Sequence, residues 1–167
     1  MSSSYGVIGI SPLSDLGKTP EKLLADYLKA NYDVSVTGIP VTSIRWEQWG
    51  IAGGDYAIYF QSAGDFDVSR DVSNSFFETD HYTDIHVFAR SLHDDYERSA
   101  VKQLFALEKG IKKVLRQNGL GMADKGIAYV YYKDTRSLPT EDETQDIRRI
   151  VISVYMKILT INNDNLV

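Results

Sequence analysis

Cysteine is absent from this chain of 167 residues. Without it the protein can form no disulfide, no thiolate nucleophile and no cysteine-ligated zinc or iron–sulfur site. A chain that needs no disulfide suits a reducing compartment.

The sequence also lacks an excess of basic residues. It has 18 Lys and Arg against 23 Asp and Glu, which gives a formal net charge of −5. Proteins held on DNA through its phosphates carry a basic surplus, so the chain as a whole is not predicted to bind DNA.

Long apolar runs are missing as well. No stretch of the sequence approaches the 18 or so consecutive apolar residues of a membrane span. The start, Met-Ser-Ser-Ser-Tyr, lacks the basic and apolar regions of a secretion signal. We therefore expect no membrane association and a protein made in the cytoplasm.

The remaining composition is that of a globular protein, with 43% hydrophobic and 25% charged residues. A chain of this length typically forms one domain, so residues 1–167 are predicted to share a single core. The polar end, residues 162–167, is expected to fray.

Two amphipathic helices are predicted. Thr19 is a suitable N-cap and Pro20 a suitable first residue for a helix over 20–32. A longer helix is predicted over 95–118. Its apolar stripe consists of Val101, Leu104, Phe105, Ile111, Val114 and Leu115.

Several strands surround the second helix. Runs rich in aromatic and β-branched residues predict strands over 56–60, 85–89 and 127–133, and a short one over 44–49. The alternation of 149–158 predicts a strand with Ile152, Val154 and Met156 on its core face. This order predicts an α+β fold, a mainly antiparallel sheet packed on one side by two helices.

Two acidic connections separate these elements. The stretch 64–80 and the stretch 134–146 are both predicted to be loops. Because long loops are usually either functional or disordered, we regard both stretches as candidates for an interaction surface.

Gly17-Lys18-Thr19 partly matches the end of a phosphate-binding loop. The first glycine of such a loop would fall at position 12, which is Pro12, a residue without an N–H to donate. The favoured interpretation is a lysine in a turn before a helix cap. A small nucleotide-binding enzyme is kept as an alternative.

A second group of residues could ligate a metal. Asp84 and His86 fall on one face of a strand. Other histidines and aspartates lie nearby, namely Asp80, His81, His93, Asp94 and Asp95. Because no three-ligand motif or HExxH helix is present, we predict no metal site and no other cofactor, and keep a metal-binding module as an alternative.

Aromatic residues are frequent, and we predict packing roles for them. Tyr129, Tyr131 and Tyr132 resemble a base-stacking surface but lack the basic surround of one. Trp46 and Trp49 are predicted to pack or to line a subunit contact.

A charge contrast gives the main candidate site. The second helix presents a basic face, with Glu108 as its only acid between positions 102 and 116. This face is either simply solvated or meets an acidic loop of a neighbouring subunit. The predicted contact residues are Lys109, Lys112, Lys113, Arg116, Glu141, Asp142 and Glu143.

The order of the predicted elements from residue 84 onwards forms a recognisable pattern. The strand Asp84-Ile-His-Val-Phe-Ala-Arg-Ser91 is followed by the amphipathic helix, a tyrosine-rich strand, an acidic connection and an alternating strand. In this order and spacing, residues 56–160 resemble the tail terminator (tail-completion) proteins of long-tailed phages and related viruses.

The resemblance implies a non-enzymatic subunit of a hexameric ring in the virion, assembled in the host cytoplasm. The ring would cap the head-proximal end of the tail tube, stop polymerisation of the tube protein and receive a neck or head-completion protein. DNA would pass through without specific binding. Because the long loops of such proteins contact the tube or a neighbour, Asp65, Asp67 and Arg70 are added to the predicted interface.

Overall fold

The computed structural model of the chain describes residues 18–69, 76–92, 98–117, 127–139 and 146–161. Three α-helices occur in this part: α1 (Pro20–Ala30), α2 (Val34–Thr37) and α3 (Ala100–Gln117). Its five strands are β1 (Ile44–Trp46), β2 (Tyr56–Ser69), β3 (Phe76–Arg90), β4 (Ile127–Ser137) and β5 (Ile147–Ile161).

The five strands form one sheet in the order β1-β2-β3-β5-β4. Only the short β1 pairs in parallel, with β2; the other described pairs are antiparallel. Helices α1 and α3 share one hydrophobic core with a single face of the sheet, which we call the core face. The predicted α+β fold with helices on one side is confirmed.

Local sequence signals explain α1. The Oγ1 of Thr19 accepts a hydrogen bond from the backbone N–H of Lys22 at 3.2 Å, so the predicted N-cap is confirmed. The helix ends at Ala30, two residues before the predicted end, where Asn31 donates to the carbonyl of Tyr27.

Helix α3 covers the centre of the sheet and packs with Leu104, Leu107 and Ile111 inward. The expectation that Val101 and Phe105 belong to its buried stripe is wrong, because they are 50% and 66% exposed. At about 100° per residue, Phe105 lies roughly 120° from the centre of the stripe. The predicted first turn, 95–97, is outside the described residues.

The short helix α2 has sequence signals that the prediction missed. Asp33 caps its start by accepting from the N–H of Ser35, and Gly38 ends it in the left-handed conformation with φ of 68°. It packs on α3 where Gly110 faces Thr37; a Cβ at position 110 would collide with the Thr37 methyl group.

The predicted loop over 64–80 is wrong for most of its length. Residues 64–69 continue β2 and residues 76–80 begin β3, with Asp65 opposite His81 in the register. The acidic side chains are tolerated because neighbouring strands supply partners: Lys157 for Glu78, and the hydroxyl of Tyr155 for Asp80 at 2.6 Å. We call residues 61–69 and 76–82 the hairpin arm.

A second correction concerns the connection that starts at 134. Residues 134–137 still belong to β4, so the described end of that strand lies four residues beyond the predicted one. The rest of the predicted acidic connection, 140–145, is outside the described residues.

The register of β5 is as predicted. Ile152, Val154 and Met156 are at most 1% exposed on the core face. Ser153 and Tyr155 lie on the opposite face, which we call the open face, where they donate hydrogen bonds to carboxylates of β3. Among the helices of the described ranges, none is long and apolar enough to cross a membrane.

Candidate interaction surfaces

The four basic residues of α3 that were predicted for the interface lie together. They border a groove of about 740 Å³ between α2 and α3, which we call the basic groove. Its lining consists of Ser35, Val36, Phe105, Glu108, Lys109, Lys112, Lys113, Arg116 and Gln117. The helical spacing anticipated this clustering, but not the contribution of α2.

Two of the four cations are already partnered within the chain. Lys112 forms an ion pair with Glu108, and Lys113 forms one with Asp33 at 2.9 Å. Asp33 is therefore a second acid at this surface, which the prediction missed because it lies 80 residues away in sequence. Its bonds with Ser35 and Lys113 lower the pKa of Asp33 to about 2.

The other two cations of the groove are Lys109 and Arg116. The guanidinium carbon of Arg116 lies 5.6 Å from the ring centroid of Tyr132. In the described ranges no carboxylate is within ion-pair distance of Lys109 or Arg116. Four cations and two acids leave a net charge of 4 − 2 = +2 on the groove and its immediate partners.

The groove is also partly apolar. Phe105, 66% exposed, projects from α3 into its lining, and Val36 contributes from α2. An exposed aromatic side chain beside cations is a common composition of protein–protein interfaces.

The acidic residues predicted for the interface are less completely described. Asp65 lies in β2 on the hairpin arm, and the backbone of Asp67 pairs with Thr79 in the same arm. Arg70, Glu141, Asp142 and Glu143 lie outside the described residues, so their predicted role stays a prediction.

Asp65 takes part in a buried cluster that the sequence did not reveal. A bulge between Ser62 and Gly64 shifts the register, so that Asp65 lies on the core face opposite His81. The two ring nitrogens of His81, which is 4% exposed, contact the carboxylates of Asp65 and Glu21. Thr83 also donates to Glu21, at 3.3 Å.

This geometry determines the charge of His81. Ionised carboxylates only accept hydrogen bonds, so a carboxylate at each ring nitrogen favours the doubly protonated, cationic imidazole. Burial lowers the pKa of His81, but the bonds to Glu21 and Asp65 outweigh it and raise the pKa above 6.5. Burial likewise raises the pKa of Glu21, and the bond from His81 reverses this, so it lies below 4.5.

The open face carries a row of aromatic rings across four strands. Phe66 of β2 contacts Tyr82 of β3, with ring centroids 6.2 Å apart, and Tyr82 contacts Tyr155 of β5 at 5.4 Å. Tyr129 and Tyr131 of β4 complete the row. Sequence alternation suggested packing for the β4 tyrosines but could not show which rings on other strands they join.

The remaining sequence candidates have structural partners. Lys18 forms an ion pair with Asp26 at 3.0 Å. Trp46 packs against Tyr32 on the core side, whereas Trp49 contacts Phe88 on the open face and is 54% exposed, so a subunit contact at Trp49 stays a prediction.

Asp84 and His86 do share a face but bind different groups. Asp84 accepts from Ser153 and Arg136, and His86 bonds with Gln61. In the part of the chain that the structure describes, no group of three or more His, Asp or Glu side chains is arranged so that it could hold a metal ion, and both ring nitrogens of His81 are in contact with carboxylates.

Comparison with solved structures gives a distant structural likeness. No protein-family model matches the chain, and a search of curated proteins gives no match. A solved chain described as "Virion of native gene transfer agent (GTA) particle" matches with 12% sequence identity and a TM-score of 0.43. The match covers 81% of this chain and 92% of that chain.

Proposed function

We propose that this chain is a non-catalytic structural subunit of a virus tail, which assembles into a ring on the head-proximal end of the tail tube. The ring, a hexamer in the resembled family, stops tube growth and offers a surface to a neck or head-completion protein. DNA passes through it without specific binding. The proposal starts from the resemblance of residues 56–160, whose main elements occur as β3, α3, β4 and β5.

The observation that carries the proposal is that one subunit has two unlike surfaces. The basic groove lies between α2 and α3, and the hairpin arm carries Asp65 on its core face and Glu78 and Asp80 on its open face, with His81, Lys157 and Tyr155 as their partners. Head-to-tail rings need two different, complementary surfaces on each subunit, whereas a two-fold dimer uses one surface twice. The groove and an acidic segment of a neighbour meet this requirement.

Two acidic segments are candidates for that contact. One is the connection Glu141-Asp142-Glu143, and the other is the arm segment around Asp65 and Asp67, with Arg70 beyond it. Each exposed ion pair contributes only about 0–1 kcal/mol, but a set repeated around a ring can fix the orientation of neighbouring subunits.

Charge reversal at the groove tests the proposal. Lys109→Glu and Arg116→Glu are the sharpest changes, since neither breaks an ion pair within the described residues. Light scattering should find a ring-sized oligomer for the wild type and a folded monomer for the double variant. The exposed Lys29 of α1 supplies the matched control, and Lys29→Glu should assemble normally.

The dependence of assembly on salt concentration tests the same contact independently. Raising the salt concentration from about 0.05 M to about 1 M shortens the Debye length from more than 10 Å to about 3 Å, and should weaken assembly. If the Lys109/Arg116 double variant assembles like the wild type at low salt, the basic face is only a solvated face. A wild type that stays monomeric at every concentration contradicts the ring itself.

A further inference from the structure

The outer edge of β2 is only partly paired in the described ranges. Strand β1 pairs with the first three residues of β2, and the carbonyl of Ile58 accepts one more backbone bond on that side, from Glu47 at 2.8 Å. Because backbone groups alternate in direction along a strand, Phe60 and Ser62 present the next N–H and C=O groups at this edge. No described strand lies beside residues 60–69 on that side. An extended segment can bind along such an edge.

The same stretch of β2 leaves an aromatic side chain uncovered. Phe66 is 65% exposed, and its ring contacts Tyr82 of β3, which lies on the side away from the edge. A strand added at the edge would cover the other side of this ring. Two cations of this part of the open face already have partners, since Lys133 lies over Tyr82 and Lys157 pairs with Glu78. The occupant that fits best is therefore an uncharged segment with the composition of a strand.

One segment of this chain has that composition. Residues 5–10 carry no charge, and most of them are aromatic or β-branched, namely Tyr5, Val7, Ile8 and Ile10. They lie outside the described residues, and each of the other stretches outside the described residues contains at least one charged side chain.

The start of the described chain lies next to the unpaired edge. Thr19 lines one small cavity, of about 200 Å³, together with Glu47, Tyr59 and Phe60, where β1 leaves β2. At about 3.3 Å per residue, residues 11–18 can span up to about 26 Å. The edge from Tyr59 to position 66 is about 23 Å long at the same rise. Residues 5–10 can therefore reach all of it.

We propose that residues 5–10 bind along the outer edge of β2 of the same chain, as a further strand beside residues 60–66 that covers one side of Phe66. The pairing satisfies the outward backbone groups of Phe60 and Ser62 and removes apolar surface from water. A covered edge no longer offers a template for pairing with other copies. The inference goes beyond the proposed ring and does not depend on it, because edge and segment belong to one subunit.

Residue-resolved hydrogen exchange tests this pairing. It is measured at about 1 M salt, on a sample that sedimentation shows to be monomeric. The outward amides of Phe60 and Ser62 should exchange slowly in the wild type. Val7→Pro with Ile8→Pro removes two consecutive N–H groups, one of which faces β2 whatever the register, so exchange at Phe60 and Ser62 should become about tenfold faster or more.

The design contains two controls. The amides of Tyr59 and Gln61 point towards β3, where these residues pair with His86 and Asp84, and should exchange as in the wild type. The matched variant, Ser2→Pro with Ser3→Pro, changes two residues before the segment and should leave Phe60 and Ser62 protected.

Three results would overturn the inference. The first is fast exchange at Phe60 and Ser62 in the wild type, and the second is slow exchange that survives the proline pair at 7 and 8. The third is protection that appears only as the protein concentration rises, which would assign the edge to another copy. If Tyr59 and Gln61 also exchange faster in the proline variant, β2 itself has opened. Val7→Gly with Ile8→Gly, which keeps both N–H groups, then replaces it and should speed exchange at Phe60 and Ser62 alone; unchanged rates there would also contradict the pairing.

Discussion

The cluster of Glu21, His81 and Asp65 predicts an unusual pH dependence of stability. The perturbation is His81→Gln, which replaces the cationic imidazole by a neutral polar side chain. Because the pKa of His81 is raised in the folded chain, its contribution is fully present below pH 6.5 and is lost as the pH rises through the folded pKa.

Burial sets the size of the effect. His81 is 4% exposed and the Glu21 side chain 16%, so the variant leaves a carboxylate nearly buried without its main partner. Removing one member of a buried pair costs about 3–5 kcal/mol, and since Glu21 retains some solvent contact we expect about 3 kcal/mol. The Asp65 side chain is 57% exposed, so its bond should add only about 0–1 kcal/mol.

Urea unfolding of both proteins between pH 6 and pH 9 measures this contribution. The wild type should lose its advantage over the variant by about 1.4 kcal/mol per pH unit above pH 6.5, until the folded pKa is reached. On the acid side, the lowered pKa of Glu21 means that its contribution is present above pH 4.5 and is lost as the pH falls. Asp65→Asn is the matched control and should cost less than His81→Gln.

A difference in unfolding free energy that stays constant from pH 6 to pH 9 would refute this reasoning. It would mean that His81 is neutral in the folded chain and that one of its two carboxylate contacts does not exist.

Three further outcomes follow from the fold. Val154→Asp places an unpaired charge in the core, so the variant should not fold cooperatively; a near-wild-type melting curve would show the β5 register to be wrong. Gly110→Ala should destabilise by about 1–3 kcal/mol through its clash with Thr37, and Thr37→Ser in the same chain should recover part of the loss in a urea titration. Lys18→Ala removes its partly exposed pair with Asp26, which contributes about 0–1 kcal/mol, so light scattering should show unchanged assembly, whereas a nucleotide affinity that disappears in this variant would favour an enzyme.

Those parts of the fold that depend on local signals could be predicted. The Thr19-Pro20 start of α1 and the alternation along β5 reflect capping and period-two burial, which neighbouring residues encode. Contacts between distant strands could not be predicted. Asp65 and Glu78 indicated a polar loop because their partners, His81 and Lys157, become neighbours only when the sheet forms.

The candidate site shows the same division. Helical spacing placed Lys109, Lys112, Lys113 and Arg116 on one surface, and they do line one groove. The sequence could not show that Asp33 partners Lys113, because α2 meets α3 through tertiary packing at Gly110. The exposure of Phe105 was missed because an apolar residue near the stripe was assumed to be buried.

The measurement that tests the central claim most directly is the assembly state of the wild-type chain. Sedimentation velocity at about 0.05 M salt, with negative-stain images of the same sample, should show a closed ring. At about 1 M salt the ring should dissociate into monomers. A single monomer boundary across the whole range of protein concentrations, at low as well as high salt, would contradict the proposal that this chain forms the terminating ring of a virus tail.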